Sequence, residues 1–250
     1  MNTRKGVTVS EDAPTTTTGK VYPDIVENPL DEISSTSYVL GIFFGVAIAL
    51  LPNATFWNFN VYIAALCTFH FLEFYITARY NPGKVHVDSF VIKNGLDYFL
   101  AHAFSISEVC LELWLCPNWK NTWHSTVHTA CVMVGIVLLF FGQYVRSQAM
   151  VTAGRSFSHL LKTVKESDHE LVTNGIYRIS RHPSYFGYFW WALGMQLVLL
   201  NPVTFVLFAV ILWNYFRNRI QKEEKYLLQF FGSAYATYKK NTGVYIPFIA

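Results

Sequence analysis

The sequence has 250 residues, of which 52% are hydrophobic, 17% are aromatic and only 14% are charged. Soluble domains carry about 25% charged residues, so this composition excludes an ordinary soluble domain. The formal net charge of +3 is too small to indicate a nucleic-acid partner and is more useful as topology information. The apolar residues form stretches that approach the roughly 20 residues needed to cross a bilayer. The sequence therefore predicts an all-α, polytopic helical membrane protein.

Residues 1–36 differ in kind from the rest of the chain. They are polar and contain the run Thr15-Thr16-Thr17-Thr18 together with Pro14, Pro23 and Pro29. This composition predicts a disordered or extended N-terminal tail. The tail has no apolar core of a cleavable signal peptide, so we expect the first span itself to direct insertion.

Six membrane segments are predicted, and the last two form a tight helical hairpin. Each hairpin arm has 15 residues, and Asn201-Pro202 between them leaves room only for a tight turn. We expect this hairpin to thin the local bilayer or to stop part of the way across. The predicted segments are Ser37–Leu51, Phe56–Thr77, Tyr98–Cys116, Val127–Val145, Phe186–Leu200 and Pro202–Phe216.

The basic residues test this topology. With six crossings, 18 of the 19 Lys and Arg residues fall on one face, and only Lys120 falls on the other. Positively charged loops stay in the cytoplasm, so both termini are predicted to be cytoplasmic. Residues 37–145 then form a four-span region. Residues 146–250 form a second region that contains a polar loop, the hairpin and a C-terminal helix, with its polar parts on the cytoplasmic side.

The hairpin predicts a meeting of two polar elements. Because a hairpin returns the chain to its starting side, Arg181–Tyr185 should lie close to Arg217–Lys225. Each residue of the first element has a structural explanation when taken singly. Together, a cation, an imidazole and a phenol at a helix N-terminus could also form a binding site for a polar or anionic ligand. Arg219 and Glu223 share a helix face, which fits either a solvated ion pair or a functional pair.

Several other groups have both structural and functional interpretations. The loop over residues 166–177 contains the turn signal Asn174-Gly175 but no glycine-rich nucleotide motif, so a nucleotide-like cofactor is not expected to bind in a Rossmann manner. The ionisable residues at membrane depth could form hydrogen bonds between helices or line a substrate route. They are His70, Glu73, His102, Glu108 and Glu112. Gly41 and Gly45 form a GxxxG pattern that predicts helix packing.

The four cysteines predict neither a zinc site nor a disulfide framework, because none of them has CxxC spacing. All four fall in or beside apolar stretches, so we expect buried thiols. They are Cys67, Cys110, Cys116 and Cys131.

The ordered set of motifs resembles the isoprenylcysteine carboxyl methyltransferases, and in particular their fungal members. The resemblance runs from about Tyr22 to the C-terminus. The motifs that carry it are His169–Val172, Gly175–Tyr177, Arg181–Gly187, the hairpin, Arg219–Glu224, Phe231-Gly232, Tyr235, Tyr238 and Ile246-Pro247. Phospholipid N-methyltransferases and, more loosely, sterol reductases share the stretch Arg181–Gly187 and the following Glu pair. The segments Ser156–His159 and Ile246–Ile249 favour the first family.

The resemblance implies transfer of a methyl group from S-adenosylmethionine to the free carboxylate of a C-terminal prenylated cysteine, in the endoplasmic reticulum membrane. Its partners would be prenylated proteins or peptides and membrane lipid, with homo-oligomerisation left open. The resemblance places Arg219 opposite the substrate carboxylate as the catalytic and substrate-binding residue. It implies cofactor contacts at Lys162, His169, Glu170, Leu171, Val172, Tyr177, His182, Pro183, Ser184, Tyr185 and Glu223. Residues 146–250 would then be the catalytic region with a cofactor loop, and their polar parts would form a cytoplasmic cofactor-binding cap.

Elementary chemistry agrees with this assignment. An α-carboxyl group titrates near a pKa of about 3.5, so it is already anionic at pH 7 and needs no general base. His169 and His182 are therefore not required to accept a proton. A fixed guanidinium can hold a carboxylate with two parallel hydrogen bonds, and this task suits Arg219. The alternatives are a phospholipid N-methyltransferase, a sterol reductase and a non-enzymatic channel or scaffold.

Overall fold

The computed structural model describes residues 29–53, 56–118, 120, 125–166 and 169–249. These residues form seven α-helices, joined by loops and short 3₁₀ turns, and their one β contact is an isolated bridge between Ser180 and Gly243. The predicted all-α class is therefore confirmed. The helices are α1 (Leu30–Leu50), α2 (Trp57–Tyr80), α3 (Leu96–Leu115), α4 (Thr126–Ala153), α5 (Pro183–Leu199), α6 (Pro202–Phe231) and α7 (Ser233–Asn241).

Helix α1 begins earlier than the composition predicts. It starts at Leu30, seven residues before Ser37, so the predicted tail is wrong over residues 30–36. Pro29 precedes the first turn, and Asp31 and Glu32 lie within it. Acidic side chains in a first turn are stabilised by the partial positive charge of the helix N-terminus. The remainder of the predicted tail, residues 1–28, lies outside the described residues.

Two other helices run past their predicted ends. Helix α4 continues to Ala153, so Arg146 lies on a helix rather than in a loop. Helix α6 is one continuous helix of 30 residues, roughly 45 Å long, that carries both the second hairpin arm and the polar stretch with Arg219 and Glu223. The polar residues of the predicted site are therefore held rigidly relative to the hairpin.

Helix α5 is the buried centre of the molecule. It is apolar all round, and 12 of its 17 residues are buried, as expected for a helix that is surrounded by others. Phe69 of α2 stacks on Trp191 of α5 at 4.5 Å between ring centroids. Leu139 of α4 and Met195 of α5 belong to the same apolar core.

Glycines set the close approach of α4 and α5. A Cβ on Gly142 of α4 would lie 2.5 Å from the carbonyl oxygen of Gly187 of α5, and one on Gly135 would lie 2.9 Å from the carbonyl oxygen of Gly194. Only glycine permits backbones to approach this closely. By contrast, a Cβ on Gly41 or Gly45 would meet nothing within 4 Å, so packing of that GxxxG pair is not observed among the described residues.

Charged side chains hold the turn between α5 and α6. Lys120 Nζ donates to the carbonyl oxygens of Leu199 and Leu200, at 2.7 and 2.9 Å, and pairs with Glu112 at 2.6 Å. Glu108 accepts from the backbone N–H groups of Val203 and Thr204, at 2.8 and 2.7 Å. A cation thus lies at the C-terminal end of α5 and an anion at the N-terminal end of α6, as the helix dipoles favour. These bonds support the hydrogen-bonding alternative for Glu108 and Glu112.

Four helices of the described chain, α1 to α4, are long and apolar enough to cross a membrane. Helix α5 has 17 residues, or about 25 Å, and is shorter than a perpendicular crossing requires. The six-segment topology and its orientation therefore remain predictions.

The expectation of buried thiols is correct for one cysteine. Cys67 is buried, Cys131 is half-buried, and Cys110 and Cys116 are exposed at the protein surface.

Candidate functional site

A cleft lies where the start of α5 meets the polar half of α6, with α7 and the segment after α4 around it. Ten of the eleven residues predicted to contact the cofactor line this cleft. They are His169, Glu170, Leu171, Val172, Tyr177, His182, Pro183, Ser184, Tyr185 and Glu223. Arg219 lies beside the cleft rather than in its lining. The structure thus brings the predicted positions together, and their contacts with a cofactor stay predictions.

The first turn of α5 is anchored to the C-terminal segment. Pro183 is the first helical residue, where its missing N–H removes no hydrogen bond. Just before it, the N–H of Arg181 donates to the carbonyl of Gly243 at 3.0 Å, and Ser180 Oγ donates to the carbonyl of Val244 at 3.0 Å. The backbone leading into the cleft is therefore fixed before α5 begins.

Glu224 joins the elements beneath the cleft. Its buried carboxylate contacts Arg181 Nε at 2.5 Å, Lys239 Nζ at 2.6 Å and His182 Nε2 at 3.2 Å. Burial alone would raise the pKa of Glu224, but hydrogen bonds from His182, Lys239 and Arg181 outweigh it and lower the pKa to about 2. Glu224 is therefore ionised at neutral pH and binds the start of α5 to α6 and α7.

Tyr185 connects Arg219 to the cleft. Its hydroxyl donates to Glu223 Oε2 at 2.5 Å and accepts from Arg219 Nε at 3.1 Å. Its ring is stacked between those of His182 and Phe216, with centroids 5.5 and 5.2 Å away. These contacts confirm the prediction that the hairpin brings Arg181–Tyr185 close to the polar stretch of α6.

The side chain of Lys162 is directed to another partner. Its Nζ lies 3.1 Å from Glu166 Oε2, and Lys84 Nζ lies 2.5 Å from the same oxygen. The hydrogen bond from Lys84, with further help from Lys162, lowers the pKa of Glu166. Lys162 is absent from the lining of the cleft, so the structure does not support a cofactor contact through its amine.

A buried ionic cluster below the cleft was missed at the sequence level. Glu73 of α2 and Arg146 of α4 form two hydrogen bonds, at 2.5 and 2.8 Å. His159 Nε2 lies 2.7 Å from Glu73 Oε2, and Arg146 Nη1 donates to Ser184 Oγ at 2.9 Å. Glu73 was recognisable as an ionisable residue at membrane depth, but no spacing pattern pairs residues 73 positions apart. Further lining residues also escaped assignment, among them Ser156, Phe157, Ser158, Leu227, Phe231, Tyr235 and Tyr238.

The lining combines three chemical features. Glu170 and Glu223 supply carboxylates, and Leu171, Val172 and Pro183 supply apolar surface. Burial, followed by the negative charge of Glu223, raises the pKa of Tyr177, so this phenol is neutral at pH 7. Such a set fits an organic ligand that carries hydroxyl groups and positive charge. Within the described ranges, no group of His, Cys, Asp and Glu residues could hold a metal ion.

Comparison with known proteins identifies relatives from one family. Residues 133–229 match the model of the isoprenylcysteine carboxyl methyltransferase (ICMT) family. Protein-S-isoprenylcysteine O-methyltransferase of Saccharomyces cerevisiae is 54% identical over 228 residues, which cover 91% of this chain and 95% of the yeast protein. The mouse protein of the same name is 38% identical over 223 residues, which cover 88% of this chain and 76% of the mouse protein.

A solved structure gives the same result. The structure of a eukaryotic intramembrane Ras methyltransferase, ICMT, superposes with a TM-score of 0.82 at 34% sequence identity, over 87% of this chain and 77% of that one. The fold, the order of motifs and the near-complete coverage of the yeast relative agree. This chain therefore belongs to the isoprenylcysteine carboxyl methyltransferase family.

Proposed function

We propose that this protein transfers a methyl group from S-adenosylmethionine to the C-terminal α-carboxylate of a prenylated cysteine, forming a methyl ester. Membership of the family supports the reaction and the class of acceptor. The observation that carries the proposed site is the contact of Arg219 Nε with the hydroxyl of Tyr185, at 3.1 Å, on the edge of the cleft. This contact supports a role for the Arg219 guanidinium as the carboxylate-binding group beside the cofactor cleft.

The cleft suits S-adenosylmethionine. When bound, this cofactor supplies an electrophilic methyl group on a positively charged sulfur. Glu170 and Glu223 offer acceptors for hydroxyl groups and compensate positive charge, while Leu171 and Val172 offer apolar surface for a purine.

Arg219 would bind and orient the acceptor. Its Nε and Nη2 atoms donate to Tyr185 and to the carbonyl of His159, so Nη1 stays available for the substrate carboxylate. The carboxylate is ionised at pH 7, so no side chain has to remove a proton. Catalysis then depends on alignment and on the exclusion of water from two charged reactants. The contact of His182 with Glu224 fits a structural role for this imidazole better than a role as a base.

The membrane explains the rest of the architecture. The family's enzyme is intramembrane in its solved representative, and α1 to α4 of this chain are long and apolar enough to span a bilayer. We place the protein in the endoplasmic reticulum membrane with the cleft and both termini on the cytoplasmic side, where 18 of the 19 basic residues fall under the six-segment scheme. Prenylated proteins or peptides then reach the site from the lipid, and the cofactor reaches it from the cytoplasm.

A methylation assay tests the proposal. Membranes containing the full chain are incubated with a farnesylated cysteine analogue and labelled S-adenosylmethionine, and base-labile methyl ester is counted. Arg219→Ala should lower kcat/KM by about 100-fold or more, as expected when a charge-assisted clamp on the reacting group is lost. The matched control is Arg217→Ala, because Arg217 lies on the same helix but packs over Trp213 at 5.3 Å.

Two results would contradict the proposal. Unchanged turnover by Arg219→Ala would remove this residue from the mechanism. Label found in lipid rather than in the cysteine ester would assign the protein to phospholipid methylation.

A further inference from the structure

Two acceptors fix the orientation of the Arg219 guanidinium. One is the hydroxyl of Tyr185, 3.1 Å from Nε, and the other is the backbone carbonyl of His159, 2.9 Å from Nη2. Tyr185 stands on α5, whereas His159 lies in the segment between α4 and α5. The direction in which the guanidinium points therefore depends on where two separate parts of the backbone are held.

The position of His159 is determined by a buried carboxylate. The ring Nε2 of His159 donates to Glu73 Oε2 at 2.7 Å, since an ionised carboxylate can only accept. Glu73 lies on α2 and its side chain is fully buried, with 0% exposure. Asn81, the residue that follows α2, donates through Nδ2 to the carbonyl of Phe157 at 3.1 Å. His159 thus contacts Glu73 through its ring and Arg219 through its backbone.

Tyr185, the other group that holds Arg219, is also connected to Glu73. Arg146 donates two hydrogen bonds to Glu73 and a third to Ser184 Oγ, and Ser184 is adjacent in sequence to Tyr185. A buried ion pair is weak evidence for stability, because desolvation of both charges offsets their attraction. Stability alone therefore does not explain a charged cluster at this place. Positioning of Tyr185 and His159, the two groups that hold Arg219, does explain it.

We propose that Glu73 and His159 are positioning residues that direct Arg219 at the substrate carboxylate. The inference rests on the proposed function and adds to it. Neither residue lines the cleft, so their loss should affect the prenylated acceptor and leave the affinity for the cofactor unchanged. A positioning residue acts by aligning the reactants, and the rate of group transfer depends steeply on that alignment.

The test separates acceptor from cofactor. His159→Ala is expected to lower kcat/KM for a farnesylated cysteine analogue by about tenfold or more, with the Kd for S-adenosylhomocysteine within about twofold of that of the unmodified protein. His159→Gln retains an N–H donor on a side chain of similar reach and should restore most of the activity. The control is Leu160→Ala, because Leu160 is the next residue and its side chain is largely exposed.

A double-mutant cycle tests whether the effect passes through Arg219. In the Arg219→Ala background, His159→Ala should change the residual turnover by less than about twofold, since the group that it positions is gone. Glu73→Gln serves as a second variant, because it preserves the shape of the side chain and one acceptor oxygen. It should show the same split between acceptor kinetics and cofactor affinity.

Three results would overturn the inference: wild-type kinetics of His159→Ala, an equal loss of cofactor affinity, or a further tenfold loss on top of Arg219→Ala. The proposed reaction fails separately, if the unmodified protein forms no methyl ester on the cysteine analogue. The two failures are therefore distinguishable in one set of membranes.

Discussion

The close contact of α4 with α5 predicts that one added methyl group will displace the candidate site. A Cβ on Gly142 would lie 2.5 Å from the carbonyl oxygen of Gly187 and 2.6 Å from the backbone nitrogen of Trp191. Both partners are helix backbone, so no side-chain rotation can relieve the overlap. Since ordinary contacts begin near 3.4 Å, Gly142→Ala forces the two helices apart by roughly 1 Å.

The effect of Gly142→Ala on stability and turnover depends on which residues the displaced α5 backbone carries. Overpacking of this kind costs about 1–3 kcal/mol of stability. Ser184 lies less than one turn before Gly187 and lines the cleft, so the displacement reaches the site. A shift of about 1 Å can reduce turnover by about 100-fold. We therefore expect a lower melting temperature and a loss of kcat/KM between roughly tenfold and 100-fold.

The measurement compares thermal unfolding and methyl ester formation for purified Gly142→Ala in detergent or nanodiscs. Gly45→Ala on α1 is the matched control, because a Cβ there meets nothing within 4 Å. If Gly142→Ala unfolds at the wild-type temperature and turns over at the wild-type rate, the contact between α4 and α5 does not set the geometry of the site.

Three further predictions concern the two ends of the hairpin. Tyr185→Phe removes the hydroxyl that holds Arg219, so kcat/KM for the acceptor should fall roughly 10- to 100-fold while the fold is retained. Glu224 has a pKa lowered from 4.5 to about 2, so its stabilising effect is complete above pH 4.5 and is lost as the pH falls towards 2; melting temperatures across that window should fall in the wild type and change less in Glu224→Gln. Lys120→Met removes the cation from two carbonyls and from the half-buried Glu112, so the melting temperature should drop by the equivalent of about 1–3 kcal/mol with an unchanged Kd for S-adenosylhomocysteine.

The hairpin was predictable because its signal is local. Asn201-Pro202 between two apolar stretches permits only a turn, and a turn there requires the flanking polar stretches to meet. The contacts of Arg181 with Glu224 and of Arg219 with Tyr185 are consequences of that requirement. Ten of the positions at which the family resemblance implies cofactor contacts converge on one cleft.

The errors have a different physical origin. Helix ends depend on capping and dipole interactions that an apolar count does not register, so α1 begins at Leu30 rather than at residue 37. Glycine spacing shows where close packing is permitted but not which face meets a partner. The GxxxG pair on α1 therefore predicts helix packing, whereas the glycines at 135 and 142, seven residues apart, make the close contact that is observed. The pairing of Glu73 with Arg146 is a tertiary event without any periodic signature.

The short length of α5 links the architecture to the chemistry. Its 17 residues span about 25 Å, and polar groups mark both ends, with Arg181 and His182 just before its N-terminus and Lys120 at its C-terminus. The hydrocarbon core of a bilayer is about 30 Å thick, so these two polar ends cannot both lie outside it unless the bilayer thins locally. Under the proposed six-segment topology, the cleft at the N-terminal end of α5 would lie at or just below the lipid headgroups. A prenyl chain in the hydrocarbon and the carboxylate on its cysteine are separated by only a few bonds, and a site at that depth meets both at once.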